Sequence, residues 1–417
     1  MKNLLGKKFC YDSRKIEHGC VFVAIKGNKV DGHDFAKEAL KKGASFVVVE
    51  KDMNLSNQII VDNVIDFLLK LAYVQLKAKK VIGVTGSSGK TFTKEILNSL
   101  LPGSFKTPGN MNTEVGVPIS ILNEYKEQEV AIIEYAMNKR GDIKRICKVI
   151  KPDVGVVLNV GRQHIGVAGN FENIFYGKME LFQCSNILIY NANDERMIEY
   201  VETMNKPKVS FGMKKGDVSL LEWSYIDNIT KAKYRIYDEE KKVILNDIFH
   251  RGHLLNIAAA VAAVIGADQK VCWECLEKIK NVKGRFHWKN VGGIRIIDDT
   301  YNASLSAFDV AVETMLKVNA KRRLAVVGPI FEQGKFSKET HERLSKILEK
   351  LDGVFILDGY EGSEYIKPKN IIVRAKNKDK LAEKVVNYLR NGDIVLFKAS
   401  RGVMMEEVLY KVEEMLK

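Results

Sequence analysis

The sequence predicts an α/β protein of three domains, with mostly parallel sheets covered on both faces by helices. Three observations carry this. The chain has 417 residues, enough for two to four domains of roughly 100–200 residues each. From residue 79 onward apolar strand-like runs alternate with helix-length segments, and the alternation restarts after Gly284-Arg285-Phe286; parallel strands need such crossovers. Apolar residues make up 46% and charged residues 28%, with only 7 prolines, the profile of a chain that folds throughout.

Taken in order, residues 1–78 carry strand-like Val21–Ile25 and Ser45–Val49 around a helical Asp34–Lys42, a small α/β domain. Residues 79–285 carry the strand Val81–Thr85 before a helix at Lys90–Leu101, the strand Val130–Glu134 before a helix from about Asp142, and the strand Val154–Val160 before another helix. The uncharged stretch Leu254–Ala267 has 14 residues and is interrupted by Asn256; a spanning helix needs about 20, so this is a buried helix and no membrane span is expected. Residues 286–417 repeat the alternation with Ile294–Asp298, Arg323–Gly328, Val354–Asp358 and Ile394–Lys398, a Rossmann-like doubly wound domain. No internal repeat of the solenoid kind is present.

Met1–Lys8 has a basic start but neither a sustained apolar region nor a small-residue cleavage site, so a cytoplasmic location is expected. Six cysteines are scattered, and Cys272-Trp273-Glu274-Cys275 has no second pair to complete a zinc site; reduced thiols are expected. Sixty-six Lys and Arg against 52 Asp and Glu give +14. The lysines run along the whole chain without a basic arm, which favours small anionic ligands over nucleic acid.

Val81-Ile82-Gly83-Val84-Thr85-Gly86-Ser87-Ser88-Gly89-Lys90-Thr91 runs from an apolar strand through a glycine turn into a helix. In that context backbone N–H groups of Gly86, Ser87, Ser88 and Gly89 can cradle phosphate, Lys90 can reach the terminal phosphates and the Thr91 hydroxyl can ligate Mg²⁺. The strict spacing would put glycine at Val84; here it stands at Gly86. Ligands of open parallel sheets bind beyond the carboxyl ends of the strands. That draws attention to Glu134, to His164 after Asn159-Val160, and to Lys178 in Gly177-Lys178-Met179-Glu180.

The shifted loop resembles that of the Mur ligase superfamily, which forms peptide bonds at the expense of ATP. The order Thr107-Pro108-Gly109-Asn110-Met111-Asn112-Thr113, then Glu134, His164 and Lys178, is most similar to the branch that joins D-alanyl-D-alanine to a UDP-N-acetylmuramoyl-tripeptide. Asp298-Asp299-Thr300-Tyr301-Asn302 points to the same branch, and the Asp-Asn-Pro-Arg signature of the neighbouring branch is absent. The resemblance implies a UDP-sugar-binding domain at 1–78, an ATP-binding P-loop domain at 79–285 and a ligase domain at 286–417. It implies ATP and two Mg²⁺, with Thr91, Glu134, His164 and Lys178 as metal ligands, Lys178 through carbamylation by CO₂. Lys90, His164 and Lys178 would be catalytic. Arg285, Asp299 and Asn302 would contact ATP, and Ser13, Arg14, Asn110, Asn112 and Thr113 the UDP-substrate. His341, Lys398 and Arg401 fall in motifs where the amino acceptor is expected. Peptidoglycan precursor synthesis by a monomer acting on small molecules follows from the same likeness. Pro329 and Ser304-Leu305 depart from the family on the acceptor side, which leaves two alternatives open: a divergent ligase, such as an archaeal cell-wall type, using another amine, or a nucleotide-binding regulator that does not ligate.

Overall fold

The computed structural model describes residues 2–27, 30–161 and 169–417. The chain divides into two compact units, one of residues 1–160, 175–209 and 260–271, the other of 161–174, 210–259 and 272–417.

The first unit holds two sheets. Near the N-terminus, β1 (Phe9–Cys10), β2 (Val21–Val23), β3 (Phe46–Val49) and β4 (Gln58–Ile60) lie side by side in chain order and all parallel. Helix α1 (Ala36–Lys41) buries Ala36 and Ala39 against Phe22, Val47 and Val49. Helix α2 (Val64–Gln75) starts where the Asn63 side chain accepts the Asp66 N–H at 3.0 Å, the usual way an Asn satisfies an orphan donor of the first turn.

The second sheet runs in the order β6 (Phe105–Lys106), β7 (Val130–Glu134), β5 (Lys80–Thr85), β8 (Val154–Val157), β9 (Ile187–Asn191), β10 (Lys208–Met213). Val81–Thr85 of β5 are all buried, as an uninterrupted apolar run must be in a strand covered on both faces. Because β5 sits between β7 and β8, the chain leaves it toward opposite sides of the sheet. Its carboxyl end is therefore the switch point at which open α/β sheets bind ligands. Helix α3 (Lys90–Leu100) follows the glycine turn, α4 (Gly116–Glu124) follows the Thr107–Val115 segment and α5 (Asp142–Cys147) follows β7. Helix α6 (Phe171–Cys184) lies close in: a Cβ on Gly177 would stand 2.6 Å from Met137 Cε, so glycine permits the approach that brings Lys178 inside.

In the second unit the continuation of β10 pairs in parallel with β11 (Val218–Ile226), and β11, β12 (Ile229–Ile236) and β13 (Glu239–Leu245) form an antiparallel meander absent from the sequence expectation. The remaining sheet has the order β14 (His287–Val291), β15 (Ile294–Asp298), β19 (Asp393–Lys398), β16 (Arg322–Val327), β17 (Gly353–Leu357), β18 (Ile371–Ala375), parallel except for β14 at its edge. Along β16, Ala325 and Val327 face one core while Leu324 and Val326 face the other, the period-2 signature of a sheet covered on both sides.

Two expectations are adjusted. The apolar Leu254–Ala267 stretch belongs to a helix spanning Arg251–Gly266, and among the described residues no helix is long and apolar enough to cross a membrane. Cys272 and Cys275, expected as reduced thiols, are joined in a disulfide; the short loop between them holds the two sulfurs within bonding reach whatever the compartment.

Candidate active site

The glycine turn builds a phosphate cradle from its own backbone. Gly89, the residue before α3, has φ +85°, a left-handed conformation that costs a side-chain-bearing residue but not glycine. Asn159, at the end of β8, fixes the turn: the Ser87 N–H donates to its carbonyl at 3.0 Å, the Ser88 N–H to its Oδ1 at 3.0 Å, and its Nδ2 to the Ser88 carbonyl at 3.1 Å. Lys90 Nζ donates back to the Gly86 carbonyl at 2.8 Å. The loop is thus preformed, with its lysine folded over the cradle at the positive end of α3.

One turn inward stands a buried carboxylate. Glu134 ends β7 at 1% exposure. Its Oε1 accepts from Asn112 Nδ2 at 2.8 Å and from Thr91 Oγ1 at 3.4 Å. Among the described residues its Oε2 accepts no hydrogen bond, and it lies 3.6 Å from Lys94 Nζ. A buried carboxylate oxygen without a donor, beside a hydroxyl, is a hard-oxygen set of the kind Mg²⁺ takes; these residues fit the cation that the sequence implied. Burial pulls the Lys94 ammonium below the usual lysine range, against the opposing pull of Glu134.

Lys178 is 4% exposed on α6. Burial drives it well below the usual lysine range, and the charge of Lys90 adds to that effect. A lysine so placed holds its proton less firmly than a solvated one and is the better nucleophile for it. Two residues on, Glu180 accepts from the N–H groups of Gly141 at 2.7 Å and Lys144 at 2.9 Å, anchoring α6 at the start of α5, where a carboxylate suits the helix dipole. His164 lies outside the described residues. Among those described, no group of three or more His, Cys, Asp or Glu side chains that could hold a metal ion is present.

The remaining candidates fall into separate groups. Asn112, expected on the UDP-substrate, is bonded to Glu134. Asn110 and Thr113 are exposed in the same segment, and Thr113 Oγ1 accepts the Gly116 N–H at 3.2 Å where α4 begins. Arg14 extends 86% of its side chain into solvent and grips Asp12 with two bonds of 2.8 and 2.9 Å, which holds the Asp12 carboxyl at about 2. Ser13 is half-buried beside it.

In the second unit, Asp299 accepts from the Phe286 N–H at 3.1 Å and from Lys398 Nζ at 2.6 Å, while the same ammonium donates to the Asn302 carbonyl at 2.9 Å. Arg285 stacks over Tyr301 at 3.9 Å. Asp299 and Asn302 are thus joined through Lys398, and Arg285 directly precedes Phe286, whose N–H Asp299 receives. His341 is wholly buried, receiving the Ile330 N–H on Nε2 and donating from Nδ1 to the Ser337 carbonyl at 2.7 Å; it holds the loop after β16. Ser304, one of the acceptor-side departures, accepts the Ala307 N–H at 3.3 Å and caps the helix Leu305–Lys317.

Sequence reasoning missed Lys94 and Asn159. Lys94 follows Lys90 by four residues on α3, a spacing that places both on one helix face, and this was the available signal.

Known proteins match this chain along its length. The family described as Mur ligase middle domain matches residues 84–264, the Mur ligase family catalytic domain residues 9–98, and the Mur ligase glutamate ligase domain residues 284–401. The crystal structure of MurF ligase from Thermotoga maritima in complex with ADP superposes with a TM-score of 0.94 at 41% identity, covering 100% of this chain and 99% of that one. The UDP-N-acetylmuramoyl-tripeptide–D-alanyl-D-alanine ligases of Rickettsia prowazekii and Bacillus subtilis are each 28% identical; the first match covers 96% of this chain and 93% of that protein, the second 95% and 91%.

Proposed function

Since the chain belongs to the Mur ligase family, we propose that it is an ATP-dependent ligase joining D-alanyl-D-alanine to a UDP-N-acetylmuramoyl-tripeptide in peptidoglycan precursor synthesis. Residues 1–78 take the UDP-sugar end, 79–285 the ATP and 286–417 complete the ligase. The cytoplasm, where ATP and UDP-sugars are made, is its working place, and a monomer carries the whole site.

The reaction runs in two steps. A terminal carboxylate oxygen of the tripeptide attacks the γ-phosphorus of ATP, the bond to the β-phosphate oxygen breaks, and ADP leaves an acyl phosphate. The amine nitrogen of D-alanyl-D-alanine then attacks the carbonyl carbon, loses a proton, and phosphate departs. The loop Gly86–Gly89 orients the phosphates through its N–H groups, and Lys90 neutralises charge as it moves toward the bridging oxygen. Thr91 and Glu134 would hold one Mg²⁺, and His164 with a carbamylated Lys178 a second. When bound, these ions supply charge neutralisation at the transferring phosphoryl group. Arg285, Asp299 and Asn302 are assigned to ATP, and Ser13, Arg14, Asn110, Asn112 and Thr113 to the acid substrate.

The observation that carries this reading is Lys178: a buried lysine whose charged neighbour is the cation Lys90 gains nothing by staying an ammonium and becomes a useful oxygen ligand on reacting with CO₂. Phosphate release from Mg²⁺-ATP, with UDP-muramoyl-tripeptide and with or without D-alanyl-D-alanine, tests it. Release that needs both substrates, yields a product heavier by the dipeptide and is lost in Lys178→Ala supports the reading. Release with a different amine favours the divergent ligase to which Pro329 and Ser304-Leu305 point, and no release with any amine leaves a nucleotide-binding regulator.

A further inference from the structure

Lys94 is entirely buried, yet no step above uses it. Its ammonium donates to the Gly109 carbonyl at 2.6 Å and stands 3.6 Å from Glu134 Oε2 and 3.8 Å from Glu95 Oε1. Taking an ammonium out of water costs several kcal/mol unless partners replace the lost solvent. A methionine would fill the same space without that cost, so the side chain answers to something other than packing. What it does is join elements. Gly109 opens the segment that carries Asn110, Asn112 and Thr113. Asn112 closes the other side by donating to Glu134 Oε1 at 2.8 Å, while its carbonyl accepts the Ala136 N–H at 2.8 Å. The Glu134 carboxylate is thus held by α3 on one hand, through Thr91 and Lys94, and by the 107–113 segment on the other.

We propose that Lys94 is a positioning residue that clamps the Asn110–Thr113 segment to the phosphate-loop helix and to Glu134, so that the place assigned to the acid substrate is held in register with the place assigned to the nucleotide. This rests on the functional reading above only in naming the acid substrate. The clamp acts on affinity for the acid, with the phosphate loop itself left intact.

Two full-length variants, Lys94→Met and Lys94→Gln, test it. The first removes charge and donor; the second keeps a donor for the Gly109 carbonyl. Hydrogen exchange of the unliganded protein is expected to quicken at least tenfold in 107–113 for Lys94→Met, with α3 unchanged, and less for Lys94→Gln. The KM for UDP-muramoyl-tripeptide is expected to rise at least tenfold in Lys94→Met, by a larger factor than kcat falls, while the calorimetric affinity for metal-free ADP stays within about threefold of wild type. Unchanged exchange in 107–113 overturns the clamp. Faster exchange with an unchanged KM, or a general loss of thermal stability with all kinetic constants moved alike, reduces Lys94 to a structural role and also overturns it. Should Lys94→Met not fold, Lys94→Gln carries the same comparison. A wild-type protein that does not bind the tripeptide defeats the substrate reading, and the exchange experiment still decides on the clamp.

Discussion

A lysine buried from solvent and faced by another cation loses the reason to hold its proton, and Lys178, beside Lys90, is that case. In the unfolded chain the same group keeps its proton up to the ordinary lysine range. Between the lowered folded value and the unfolded one, the unfolded state binds one proton more, so stability rises with pH across that window. At neutral pH Lys178 therefore subtracts from stability. In CO₂-free buffer without nucleotide, Lys178→Met should melt at or above the wild-type temperature, while ligation falls by at least ~10³-fold. A melting temperature several degrees lower would show instead that Lys178 is a stabilising structural element. The residues of this site were unequally legible. Glu134, Lys178 and the loop 86–91 could be read because each follows a strand of recognisable pattern. Lys94 was marked only by its four-residue spacing from Lys90: between Thr93 and Glu95 it otherwise looks like any solvent-facing helix lysine, and its partner is the carbonyl of Gly109, fifteen positions away. Asn112 was legible as a polar residue in a loop, but its partner Glu134 is decided by where β7 ends.

Helix termini carry the next scale of argument. His250 stands directly before the helix Arg251–Gly266, and its Nδ1 accepts the His253 N–H at 3.1 Å, the service that Asn or Asp usually performs at that place. Burial first, then the charge of Lys398, pushes His250 down to about 3. The folded protein keeps the ring neutral while the unfolded chain protonates it below about 6.5. Its contribution is therefore present above that pH and lost as pH falls toward 3, at about 1.4 kcal/mol per pH unit once the unfolded ring is charged. His250→Asn keeps an acceptor and removes the titration. Urea unfolding of this variant between pH 6 and 4 should show a slope shallower by about one proton, and an unchanged slope would place the proton elsewhere. At this scale most of the fold was readable: β7 and β15 occupy the expected spans, and β5, β16, β17 and β19 deviate by one residue at an end or two. The β11–β13 meander was not. Its outer strand begins Glu239-Glu240-Lys241-Lys242, all exposed, so polar composition hid a strand that owes its place to register, including the Lys233–Glu240 pair at 2.7 Å. The signal that was there is the pair of two-residue turns, with Asp227 and Tyr237 at φ +54° and +50°, as tight hairpins demand.

Across the whole chain, two compact units each have a core of their own, and multidomain chains need not unfold in one step. The phosphate loop, Glu134 and Lys178 all belong to the first unit. A ligand that binds only the folded form stabilises it by RT ln(1 + [L]/Kd), about 2.7 kcal/mol at a hundredfold excess over Kd. Spread over a unit of this size, each kcal/mol moves the melting temperature by roughly 2–4 °C. Scanning calorimetry at that excess of Mg²⁺-ADP should accordingly lift the transition of the first unit by several degrees. Lys90→Ala, which removes the cation at the cradle while leaving the Asn159 bonds that shape it, should erase most of the lift. The formal charge of +14 adds a salt dependence of known sign: an anionic nucleotide is drawn in less strongly as ionic strength rises, so the lift at a fixed nucleotide concentration should shrink between low and high salt. An equal lift in Lys90→Ala, at either salt, would show that ADP stabilises the protein from somewhere other than the loop Gly86–Thr91.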